Sequence, residues 1–67
     1  MSETLIYTVP GMTCEHCRRS VMSEVTAVPG VSSVDVDLST KKVTVVGDGL
    51  RDDLVRAAVV EAGYEAL

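Results

Sequence analysis

Glu3-Thr4-Leu5-Ile6-Tyr7-Thr8-Val9-Pro10-Gly11-Met12-Thr13-Cys14-Glu15-His16-Cys17 decides how this chain begins to fold. Leu5, Tyr7 and Val9 alternate with Thr4, Ile6 and Thr8, the period-two pattern of a strand with one buried face. Pro10-Gly11 stops that strand. Beyond it, Cys17, Val21, Val25 and Val28 recur at helical spacing and mark one apolar stripe of a helix starting at about residue 14. Thr13 is its expected N-cap and Pro29-Gly30 its stop. Both cysteines of the protein fall at this strand-to-helix junction.

A second alternation follows, with Val34, Val36 and Leu38 inward and Ser33, Asp35 and Asp37 outward. Ser39-Thr40-Lys41-Lys42 reads as a hairpin connection into a further strand, Val43-Thr44-Val45-Val46, which Gly47-Asp48-Gly49 breaks. Leu50, Leu54, Ala58 and Ala62, flanked by Val55 and Val59, outline a second amphipathic helix ending at Gly63, and Tyr64 to Leu67 leaves room for one short closing strand. The predicted order is βαββαβ. This is an α+β, ferredoxin-like sandwich: a four-stranded antiparallel sheet with two helices on one face. Residues 1–67 are expected to form a single domain, without internal repeat, linker or low-complexity tract.

A chain of 67 residues lies near the lower edge of what one apolar core holds together, yet 46% hydrophobic and 24% charged residues place it among globular proteins. No broad substrate pocket is expected at this size, so the chain is not expected to be an enzyme. Ten acidic against six basic residues argue against nucleic-acid binding. No stretch approaches the length of a membrane span, so no membrane insertion is expected, and residues 1–10 lack the pattern of a signal peptide. The expected location is the cytosol, where thiols stay reduced and two lone cysteines favour metal or redox chemistry over a structural disulfide.

Cys14 at the junction of loop and helix, and Cys17 in the first turn, lie near unpaired backbone N–H groups and the positive end of the helix dipole. That setting favours the thiolate, the form that binds metal. Two thiolates without further obligatory ligands suit a soft ion of low coordination number, and Cu(I) fits best. Zn(II) would need donors beyond the pair, with Glu15 and His16 as candidates, although side chains between two converging cysteines tend to point away from them. By its spacing alone, a CxxC also fits a redox dithiol with Cys14 as nucleophile. A thioredoxin-like domain, however, needs about 100 residues and a longer element order. Met12 reads as a core residue bracing the loop, His16 as an exposed neighbour of the site, and Arg18 and Arg19 as a solvated helix edge.

Gly11-Met12-Thr13-Cys14-Glu15-His16-Cys17 resembles the GMTCxxC signature of the heavy-metal-associated domain family, and Gly63-Tyr64 after the second helix fits that family's C-terminal region. The resemblance spans nearly the whole chain and is nearest to bacterial copper chaperones of the CopZ type. It implies that Cys14 and Cys17 are the Cu(I) ligands and that Met12 is a packed loop methionine. It further implies that His16 lies beside the site and that Tyr64 occupies the loop near the metal. Thr13 stands where zinc-handling members usually carry Asp, which favours copper. The implied function is a cytosolic Cu(I) metallochaperone. It would hand copper by thiolate exchange to the metal-binding domain of a copper-transporting P-type ATPase in a transient complex, as a monomer when apo and as a copper-bridged dimer in some states. The alternatives are a small thiol–disulfide oxidoreductase and a metal-binding domain of a copper ATPase. Element order also returns the loop after the second helix to the Pro10–Cys14 end of the sheet, so Tyr64 is expected over the thiols; the competing expectation is a core plug.

Overall fold

The computed structural model describes residues 2–67 and contains β1 (Glu3–Thr8), α1 (Glu15–Thr26), β2 (Val31–Asp37), β3 (Lys42–Gly47) and α2 (Asp52–Glu61) in that order. The strands form one antiparallel sheet in the order β1-β3-β2. Tyr7, Val43 and Val36 stand side by side across the sheet, as do Leu5, Val45 and Val34 in the next inward row. Period-two alternation places all six on one face, which both helices cover. Valines 21 and 25 of α1 and Val55, Ala58 and Val59 of α2 close the core against that face. On the opposite face, Ile6 is 61% exposed. No described helix is long and apolar enough to cross a membrane.

The sheet has three strands among the described residues, not the expected four. Tyr64 to Leu67 runs beside β1 but is joined to it by the Leu67 N–H donating to the Thr8 carbonyl, at 2.8 Å. In the register that this bond sets, the next hydrogen-bonding pair toward the loop is Glu65 with Pro10, and proline has no N–H to donate. Tyr64 and Ala66 are also engaged elsewhere. The Tyr64 N–H donates to the Val59 carbonyl (3.1 Å) and the Ala66 carbonyl accepts from Arg56 (3.2 Å).

Two smaller expectations also change. Cys14, not Thr13, caps α1: its backbone is extended (φ −147°) and its sulfur accepts the Cys17 N–H at 3.4 Å. In α2 the buried stripe is centred on Val55, Ala58 and Val59, which leaves Leu54 38% exposed at the stripe's margin. The α2 terminus is a Schellman turn. Gly63, at φ +95°, gives its N–H to the Val60 carbonyl while Tyr64 reaches back to Val59, so a residue without Cβ is needed there.

Candidate metal centre

A tight turn presents the two thiols. The Met12 N–H donates to the Val9 carbonyl at 3.2 Å, with Pro10 preset for the corner of such a turn. Val9 and Met12 on either side are fully buried, so the loop is pinned into the core at both ends. The chain then leaves the core at Thr13, extends through Cys14 and enters α1. The cysteines are three positions apart, with Glu15 and His16 between them, so Cys17 completes the first helical turn and faces back toward the cap. The result is an exposed Cys14 and a half-buried Cys17, both free thiols, with their sulfurs 3.0 Å apart.

The surroundings favour negative charge on Cys17, whose thiol is held down at about 6. The main cause is the hydrogen bond from Cys14. The Tyr64 hydroxyl and the backbone at Thr13 and Cys14 add to it, against a smaller opposing effect of desolvation. The hydrogen bond to Cys17 is likewise what first pushes the Tyr64 phenol above its ordinary range. Glu15, the acid nearest the pair in sequence, is tied to Arg18 and lies 3.7 Å from Arg19. The Arg18 hydrogen bond holds its carboxyl below the usual range. Glu15 therefore weighs little against a thiolate at Cys17 in the same turn.

Tyr64 reaches the site from the far end of the chain, set by the Schellman turn. Its ring lies against the Gly11 backbone. Gly11 has no left-handed φ, so what this position requires is space for that ring. His16 is exposed and lines a shallow polar depression of about 450 Å³ with Arg19, Ser20, Ser23, Glu24, Glu61 and Ala62. Cys14 and Cys17 thus come together, Tyr64 hydrogen-bonds Cys17 and lies against Gly11, Met12 is buried, and His16 lines the polar depression. Among the described residues no group of three or more His, Cys, Asp or Glu side chains is gathered for a metal. That leaves a two-sulfur centre, which suits a soft cation and lacks the four donors of a closed zinc site.

Sequence reasoning missed the cluster of Tyr7, Asp52 and Arg56. The buried Tyr7 donates its hydroxyl to Asp52 at 2.7 Å, and Arg56 binds the same carboxylate. The signal was present: a tyrosine at an inward strand position needs a partner for its hydroxyl. The partner, 45 residues away, could not be named from periodicity.

The Heavy-metal-associated domain model matches residues 6–65. Copper-transporting ATPase 2 of Rhizobium meliloti (strain 1021) is 49% identical over 57 residues, which is 84% of this chain but 7% of that ATPase. The Mercuric transport protein periplasmic component of Pseudomonas aeruginosa is 35% identical over 65 residues, 94% of this chain and 71% of that protein. A solved structure described as CopZ metallochaperone superposes with a TM-score of 0.91 at 31% identity, covering 97% of this chain and all of that one. With a match over nearly its whole length and the paired thiols at the expected junction, the chain belongs to the heavy-metal-associated domain family.

Proposed function

We propose that residues 1–67 act as one Cu(I) carrier that holds a single ion between Cys14 and Cys17 and passes it on without releasing it. The observation that carries this reading is the sulfur pair itself: 3.0 Å apart, with the Cys17 thiol held down at about 6, and with no His, Asp or Glu side chain gathered beside the pair among the described residues. Two thiolates bind a soft ion firmly yet leave it open to attack by another thiolate. An incoming partner sulfur adds to Cu(I), one of the chain's own sulfurs leaves and picks up a proton, and a second exchange completes the transfer. No oxidation state changes in these steps. Tyr64 limits access of water to the pair and donates to the Cys17 sulfur.

The acceptor in this reading is the metal-binding domain of a copper-transporting P-type ATPase, and the setting is the cytosol. The relationship to a Rhizobium copper ATPase and to a CopZ metallochaperone supports both. Docking is brief and electrostatically guided. Arg18 is committed to Glu15, whereas Arg19 is 75% exposed and is the cation next to the site that meets an acidic partner. The apo protein is a monomer, and copper bridges two copies when thiol acceptors are scarce.

A second reading, Hg(II) as cargo, is favoured by the mercuric transport relative, which covers 94% of this chain. Anaerobic titration of the reduced protein with Cu(I) against a strong competing chelator, with Hg(II) and Zn(II) in parallel, separates the readings. One tightly held Cu(I) per chain is expected. Tighter retention of Hg(II) under matched competition, or metal-independent turnover with a dithiol reductant, would replace the copper reading.

A further inference from the structure

Side chains and backbone of β1, α2 and the closing segment meet at the Arg56 guanidinium. Its Nε donates to both Asp52 carboxylate oxygens (3.1 and 3.0 Å), its Nη1 donates to the Ala66 carbonyl (3.2 Å), and its Cζ stands 5.2 Å from the centre of the Tyr7 ring. The Tyr7 hydroxyl donates to the same Asp52 carboxylate. Asp52 is thus gripped from both sides, and Arg56 is aimed by a ring that belongs to the buried face of β1. Meanwhile the closing segment, residues 64–67, has no ladder with β1 and joins it through the Leu67 N–H. Between Tyr64, whose N–H is held by the Val59 carbonyl, and Leu67, Arg56 supplies a further attachment at Ala66.

We propose that Arg56 is a positioning residue for the thiol pair: by holding Ala66 against Tyr7 and Asp52, it fixes the segment whose first residue, Tyr64, lies over Gly11 and beside Cys17. The inference rests on the reading of Cys14 and Cys17 as the metal site. Exposed ion pairs contribute little to global stability, so the effect of this cluster is local and concerns where the Tyr64 ring sits.

The test is Arg56→Gln, with Asp52→Asn as a second variant, first in the apo protein by nuclear magnetic resonance. Exchange of the Leu67 amide is expected to rise roughly three- to ten-fold, the size of effect of losing one partly exposed hydrogen-bonded pair. The Gly11 signals are expected to move toward those of Tyr64→Ala, while Val43 and Val45 keep their protection. In the loaded protein, loss of Cu(I) to a competing chelator is expected to quicken by a similar factor, and Arg56→Gln is expected to add nothing in a Tyr64→Ala background. Unchanged Gly11 and Leu67 signals in both variants would overturn the inference, as would an equal acceleration with and without Tyr64. A wild-type chain that takes up no Cu(I) would instead refute the metal reading, and the apo spectra would still decide whether Arg56 places Tyr64.

Discussion

The Tyr64 ring occupies the space a side chain at Gly11 would need: a Cβ there would stand 3.0 Å from Tyr64 Cδ1. Tyr64, three residues beyond α2, therefore packs on the loop that leads to Cys14.

Gly11→Ala should consequently act through Tyr64 and not through backbone strain, because Gly11 has an ordinary φ. Overpacking of this kind costs about 1 kcal/mol at a partly open site. A lowered melting temperature and faster loss of Cu(I) to a chelator are expected. Both effects should largely disappear in Gly11→Ala combined with Tyr64→Ala; persistence of the full cost would mean that the ring is not what fills this space.

Cys14 caps α1, and substitution can separate that contact from its proposed part in holding Cu(I). Cys14→Ser keeps a side-chain acceptor for the Cys17 N–H and should leave thermal stability nearly unchanged, whereas Cys14→Ala removes the cap and should cost about 1 kcal/mol. Both variants should lose tight Cu(I) binding. A Cys14→Ser protein that still competed with a strong chelator would refute the ligand assignment.

The pH dependence follows from Cys17. Its folded value near 6 lies below that of an unfolded cysteine, about 8.5. The thiolate's contribution to stability is thus complete above the unfolded value and is lost as pH falls through 6. Metal uptake should weaken over the same descent, because protons compete with the ion. Ultraviolet thiolate absorbance should show one group titrating near pH 6 and should move upward in Tyr64→Phe, which deletes a hydrogen bond to that sulfur. An unmoved titration in Tyr64→Phe would show that the phenol does not serve Cys17.

Tyr7→Phe should destabilise the apo protein by about 1 kcal/mol, the loss of one hydrogen bond to a partly exposed carboxylate. Burial first, and then Asp52, push the Tyr7 phenol up to about 12. Its contribution is therefore full below the ordinary tyrosine value, near 10, and fades as pH rises through 12. The gap between wild type and variant, measured by denaturant unfolding, should close over that alkaline range. A gap independent of pH would place the Tyr7 hydroxyl outside the Asp52 cluster.

His16→Ala should retain one Cu(I) per chain at neutral pH, since His16 stands on the polar depression and not over the sulfurs. Loss of the first equivalent in a chelator competition would make it a ligand.

Much of this architecture can be read from periodicity. The alternation of Leu5, Tyr7 and Val9 and the recurrence of Val21 and Val25 each report one local face, and the structure buries those faces together. What eluded the sequence depends on single groups meeting across the fold. Pro10 looks like a strand stop, yet it also withholds the N–H that a closing strand at Glu65 would use. Thr13 is a better capping residue than Cys14 by composition, but the extended backbone falls at Cys14, whose sulfur faces the Cys17 N–H. Leu54 matched the helical period and lost its burial to Val55 and Val59, one position on. The meeting of Arg56, Asp52 and Tyr7 leaves no periodic trace.

Of the large side chains with essentially no exposure, seven are valines and the eighth is Met12. Branching at Cβ holds each valine close to one rotamer, whereas methionine turns about three bonds and adapts to irregular space. Among these fully buried side chains the adaptable one is Met12, which belongs to the loop that leads to the cysteines. The sulfurs stand 3.0 Å apart and, on the proposed reading, spread to admit an ion, with Met12 as the adaptable buried side chain of the loop that carries them. On that reading, loading and unloading are expected to leave the sheet unmoved.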